Sequence, residues 1–177
     1  FKKMDEVENV EFLMFTGDIL DSGYANSPSR PAQYQQYLEV TSVFRKPIYP
    51  FIGNHDTGVT QFLERGVITK NGVSLIYFHA DYVDLGGGVN TGNVTASELA
   101  WIEEQLIAAG SNIKVLMCHW SIVEDNADFA WPITDEHGRL EILALAEAYG
   151  VKLYLNGHEH KTLLQTGTAG VMTGVQG

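Results

Sequence analysis

Leu153-Tyr154-Leu155-Asn156-Gly157-His158-Glu159-His160 is a short apolar run that stops abruptly at a glycine and two histidines, and its reading decides the fold. In an extended segment, residues two apart lie on one face, so His158 and His160 present both imidazoles the same way; Gly157 lets the backbone bend just before them. Taken alone, a His-x-His pair is more simply a half-buried polar pair than a metal site. Three other apolar runs, however, end in the same manner. Phe12-Leu13-Met14-Phe15 leads into Thr16-Gly17-Asp18, Ile48-Tyr49-Pro50-Phe51-Ile52 into Gly53-Asn54-His55-Asp56, and Val115-Leu116-Met117 into Cys118-His119-Trp120. In open α/β sheets, side chains placed just past the carboxyl ends of different strands meet in space. The repetition predicts an α/β fold whose four clusters share one site.

Composition narrows the classes. A length of 177 residues, with 45% hydrophobic and 19% charged residues, fits one globular domain over 1–177. Eleven basic against twenty-two acidic residues give a formal charge of -11, which repels polyanions and argues against long nucleic acid as a partner. Cys118 is the only cysteine, so no intrachain disulfide can form and no compartment is indicated. No apolar run approaches the ~20 residues of a membrane span, and Phe1-Lys2-Lys3-Met4-Asp5-Glu6 does not lead into a signal-like core, so the chain reads as soluble with no membrane partner. Nothing in the pattern specifies an oligomeric state.

The connecting segments read as follows. Val10–Phe15 and Ile48–Ile52 are strands, the second carrying Pro50 and therefore expected to pair irregularly. Between them Pro31 opens a helix to Phe44 that buries Tyr34, Tyr37, Leu38 and Thr41. Asn71-Gly72 joins two extended runs as a hairpin. Gly86-Gly87-Gly88 and the residues up to Asn93 read as a loop, taken as a mere connector. Thr95-Ala96-Ser97-Glu98 is a capping box before a helix that ends at Ala109, with Leu99, Ile102, Leu106 and Trp101 inward. Asn112–Met117 and Val151–Leu155 are strands flanking a helix at Leu140–Tyr149, and Thr162–Leu164 and Val171-Met172 are short β segments.

The donor types fit the clustering. Asp18 offers a carboxylate able to bridge two cations, and Asn54 a neutral amide oxygen. Oxygen and imidazole donors together suit manganese, iron or zinc, and point to a metal-dependent hydrolase. Singly, Gly17-Asp18 and Gly53-Asn54 read as turn chemistry. Together, Gly17-Asp18, Gly53-Asn54-His55-Asp56, His119 and Gly157-His158-Glu159-His160 resemble, in order, the signature of the calcineurin-like metallophosphoesterase superfamily, which includes purple acid phosphatases and class III cyclic nucleotide phosphodiesterases.

The resemblance implies a four-layer αββα sandwich with two divalent metal ions (Mn, Fe or Zn). It implies that Asp18 bridges both ions, that Asn54, His119 and His158 complete one, and that His160 binds the other. His55 would stabilise phosphate or protonate the leaving oxygen, and Asp56 would orient His55. The implied reaction is hydrolysis of a phosphate mono- or diester, with a small phosphate ester or nucleotide as substrate. Purple acid phosphatases carry a tyrosine three positions after the bridging aspartate; Asp21 stands there in this chain, which disfavours tyrosinate-bound ferric iron.

One departure stands out: the opening Asp-x-His of that signature is absent before Asp18. The expectation is a chain that starts after the first strand and most of the first helix of the sandwich, holding one metal well and the other weakly. Asp135-Glu136-His137 has the same form but reads as a loop and helix cap. Cys118 reads as core, and Trp120 and Trp131 as either pocket wall or core. Two other readings compete. A catalytically impaired binding module on the same fold is disfavoured by the intact Asn54, His55 and His158; a metallo-β-lactamase-like hydrolase needs a denser His-x-His-x-Asp-His cluster than any here.

Overall fold

The apolar runs form strands, and two of them, Leu13–Thr16 and Leu153–Asn156, stop directly at a glycine-bearing motif. In the computed structural model, which describes residues 6, 10–21, 27–122, 132–158, 164–166 and 172–175, the chain divides into two compact units, Phe1–Leu63 and Glu64–Gly177.

In the first unit, β1 (Leu13–Thr16) pairs in parallel with β2 (Ile48–Phe51), with Thr16 opposite Phe51. Helix α1 (Arg30–Thr41) connects them. Pro50 does not disturb this ladder. Its carbonyl accepts from the Leu63 N–H at 2.7 Å, and because N–H and C=O of one strand residue point the same way, the missing donor faces Leu63 rather than β1. A small core forms from Leu20, Ile52, Val59 and Phe62, against which Tyr34 and Tyr37 of α1 pack. Leu38 departs from expectation and is 42% exposed, since the face that turns inward centres on Tyr34, Tyr37 and Thr41.

In the second unit a six-stranded sheet has the order β3-β4-β7-β8-β10-β9, from Gly66–Lys70, Val73–Tyr77, Ile113–Met117, Leu153–Asn156, Met172–Val175 and Leu164–Thr166 respectively. The four central strands β4, β7, β8 and β10 run parallel, and β3 and β9 are antiparallel edges. The β3–β4 hairpin turns on Asn71 and Gly72 at φ 51° and 76°, the positive angles that a type I′ turn requires.

A second hairpin, β5 (Asp81–Gly86) with β6 (Val89–Asn93), replaces the connector expected over 86–93. The glycines hide it, because Gly86, Gly87 and Gly88 form its positive-φ turn instead of marking an unstructured run. Helix α2 (Ala96–Ala108) starts at Thr95, whose hydroxyl accepts from the Glu98 N–H at 3.2 Å. The Glu98 carboxylate, expected to complete a reciprocal cap, instead accepts from the His79 N–H and from Arg65, both at 3.0 Å. Helix α3 (Arg139–Ala148) follows a 3-10 turn at Asp135–His137 that acts as its lead-in.

Ile102 and Leu106 of α2 and Ile142 and Ala146 of α3 close over Ile76, Leu116 and Tyr154 of the sheet. Each large apolar side chain so buried contributes about 1.5–3 kcal/mol, which fixes the sheet and, with it, whatever projects from its carboxyl edge. No described helix is long and apolar enough to cross a membrane.

Candidate metal and phosphate site

Register places the candidate residues. In the first unit, Asp18 and Asn54 follow the paired ends Thr16 and Phe51 of β1 and β2 by two and three residues. Gly17 at φ 106° and Asp18 at φ 51° turn the chain sharply there. A non-glycine residue at positive φ is strained by about 1 kcal/mol or more, and such strain persists only where surrounding bonds impose it. One of those bonds is on the Asp18 side chain, whose Oδ1 accepts from the His55 N–H at 2.9 Å.

Asn54-His55-Asp56 forms a single 3-10 turn. Asp56 is fully buried, and its carboxylate accepts from three backbone N–H groups: Ile19 at 3.0 Å, Leu20 at 2.9 Å and Gly53 at 2.9 Å. This one side chain therefore ties the Gly17-Asp18 loop to the Gly53–Asp56 loop. Burial pushes the Asp56 carboxyl up, the three amide bonds pull it down, and the nearby Asp18 adds to the upward push.

The carbonyl side of the same loop is held by Arg30, whose guanidinium donates to the His55 carbonyl at 3.0 Å and to the Thr57 carbonyl. Arg30 carried no signal in the sequence beyond a cation at a helix start. The His55 ring is left 38% exposed, with Nδ1 4.0 Å from an Asp21 carboxylate that stands in water and so contributes little. That exposure leaves the imidazole open to solvent.

In the second unit, Met117 of β7 lies opposite Leu155 of β8. The ladder continues past both strands, with the Cys118 N–H donating to Leu155 O at 3.1 Å and the Gly157 N–H to His119 O at 3.0 Å. His119 and His158 are thereby brought to the same edge, with His119 Nε2 3.1 Å from His158 Nδ1. His158 sits at φ 70°, a second strained residue at a strand end. Trp120 is buried and packs on the His158 ring, centroids 4.1 Å apart, so it is core that also positions a candidate ligand. Cys118 is core as well, and burial pushes its thiol up to about 12, so no thiolate is offered at neutral pH.

His160 and Trp131 lie outside the described residues. His79 and His137, which the motifs leave aside, contact Asp81 at 3.4 Å and Thr134 at 2.6 Å.

The histidine pair fits a divalent cation. Two ring nitrogens, each about 2.1 Å from one ion and separated as these are, subtend an angle between the octahedral and tetrahedral values. Imidazole nitrogens here, with carboxylate and amide oxygens in the first unit, form a donor set suited to manganese, iron or zinc.

The fold resembles known structures at low identity. A dimetal phosphatase from Danio rerio superposes with a TM-score of 0.74 at 12% identity, covering 96% of this chain and 73% of that one. GAP50, described as the anchor in the inner membrane complex of Plasmodium, superposes with a TM-score of 0.66 at 15% identity, covering 100% of this chain and 64% of that one. No curated protein sequence matches the chain. The α/β fold is thus that of a metallophosphoesterase, residues 1–162 match the family described as calcineurin-like phosphoesterase, and the chain belongs to that family.

Proposed function

We propose that residues 1–177 act as one domain that hydrolyses phosphate mono- or diesters at a dinuclear metal centre. Asp18, Asn54, His119 and His158 would hold one ion, and Asp18 with His160 would hold the other. The observation that carries this reading is the convergence of His119 Nε2 and His158 Nδ1 to 3.1 Å at adjacent strand ends in a chain of this family. When bound, two such ions polarise phosphoryl oxygens and lower the pKa of a water towards neutrality.

The chain's own residues do the rest. Asp56 and Arg30 hold the His55 turn from its amide and carbonyl sides, so the imidazole is presented to the substrate from a fixed stretch of backbone. His55 then stabilises the phosphoryl oxygens or gives its proton to the departing ester oxygen, a contribution of about 10²–10⁴-fold for a positioned general acid. The net acidity of the chain favours a small phosphate ester or nucleotide over a long polyanion.

The test is turnover of a chromogenic phosphomonoester and a phosphodiester by the full-length protein with added manganese. His55→Ala is expected to lose about 10²–10⁴-fold in kcat with metal content unchanged, and unchanged turnover would remove His55 from the mechanism. The description of GAP50 as an anchor favours a second reading, in which this fold serves as a binding surface. Metal binding without turnover of any ester would favour it.

A further inference from the structure

Hairpin β5–β6 takes no part in the reading above, yet it follows directly on a strand that ends at the histidine edge. β4 runs parallel to β7, with Tyr77 opposite Met117, so the chain leaving β4 emerges on the edge that carries His119 and, one strand further, His158. Ligands of such sheets bind beyond that edge. β5 begins four residues later, and its Tyr82 pairs with Gly92 across the hairpin.

No side chain fits at position 92. A Cβ there would lie 2.6 Å from both Cδ1 and Cγ of Trp120 and 3.0 Å from Cβ of Ala80. The bare glycine admits the Trp120 indole against the hairpin. The Tyr82 ring is 6.4 Å from that indole at 44°, and the His158 ring is 4.1 Å from it at 39°. Trp120 is buried, whereas Tyr82 at the outer end of this aromatic row is 50% exposed.

We infer that Tyr82 is a specificity-determining residue, a platform on which the planar aromatic group of a phosphate ester, aryl or nucleobase, stacks while the phosphate engages the histidine edge. This rests on the phosphoesterase reading. Stacking suits any flat ring, because each has a π-face to offer. Charge selects the same occupant: Asp81 and Asp84, both exposed, flank Tyr82 on β5 and repel additional phosphates, leaving an uncharged ring as the favoured guest.

Calorimetric titration of the manganese-loaded full-length protein with phenylphosphonate and methylphosphonate tests this without turnover, and adenosine 5′-monophosphate against ribose 5-phosphate separates nucleobase from simple aryl recognition. Wild type is expected to prefer the aromatic member of a pair by about tenfold. Tyr82→Phe keeps that preference, while Tyr82→Ala and the bulk-preserving Tyr82→Leu lose it with affinity for methylphosphonate unchanged. Equal affinity for both phosphonates in wild type, no binding of either, or a preference that survives in Tyr82→Ala would overturn the inference. Absent turnover of every ester together with an intact, Tyr82-dependent preference would sink the hydrolase reading alone.

Discussion

The two units solve the same placement problem with different chemistry. In the first, Asp18 and Asn54 follow the paired residues Thr16 and Phe51 by two and three positions; in the second, His119 and His158 follow Met117 and Leu155 by the same two and three. Among the described residues, each half has one non-glycine candidate ligand at positive φ, Asp18 in the first and His158 in the second. The means of holding them differ. The oxygen-donor loops hang on a buried carboxylate with three amide partners and on an arginine clamp. The nitrogen-donor loops hang on a continued β ladder and on the packed indole of Trp120. A polar latch fails when one atom set is removed, whereas a packed support fails when volume changes. The first half should therefore be brittle to polar substitution and the second to steric substitution.

The largest effect is expected at Asp56. Asp56→Ala leaves three N–H groups without their acceptor, and at about 1–3 kcal/mol for each buried unsatisfied group the loss should reach about 3 kcal/mol or more. Asp56→Asn, which keeps one acceptor oxygen, should fall between. Urea unfolding of the three proteins measures this, and equal midpoints would show that the latch is dispensable.

Next is Gly92→Ala, whose methyl collides with Trp120; overpacking of this kind costs about 1–3 kcal/mol. The displaced indole should also weaken cobalt binding, read from its visible absorption, because His158 leans on that ring. A stable variant with an unchanged cobalt spectrum would contradict the packed-support account.

Arg30→Met removes a charge-assisted clamp that is only partly buried, for a loss of about 1–2 kcal/mol. Its signature is a fall in kcat with metal affinity retained, since Arg30 holds the His55 turn.

The smallest effect concerns Cys118. Its thiol is raised by burial from an ordinary 9.0 to about 12, and burial likewise raises the Tyr154 hydroxyl. Between those two pH values the unfolded chain has lost a proton that the folded chain retains, so stability falls as pH rises above about 9 and is unaffected below it. At neutral pH a thiol reagent should label Cys118 only after unfolding. Rapid labelling of the folded protein would refute its core assignment.

Much of this arrangement was legible because it is local. Apolar runs ending at Gly17-Asp18, Gly53-Asn54 and Gly157-His158 mark strand ends, Asn71-Gly72 marks a hairpin, and Thr95 marks a helix start. What escaped depends on partners distant in sequence. Asp56 bonds to amides 36 and 37 residues away, and Arg30 reaches carbonyls 25 and 27 residues away, with no periodicity to announce either. The β5–β6 hairpin was masked by its own composition, since Gly92 lowers strand propensity for a reason visible only once Trp120 is placed against it. Leu38 misled because helical spacing defines a face but not its edges.

The central proposal is that Asn54 and His119 are ligands of one and the same cation. Equilibrium manganese binding to the full-length protein, its Asn54→Ala and His119→Ala variants and the double variant tests it most directly. Ligands of a shared ion are predicted to be strongly non-additive: each single change weakens the same binding event, and the double change costs little beyond the worse single one. Independent, additive losses at two separable binding events would contradict the account.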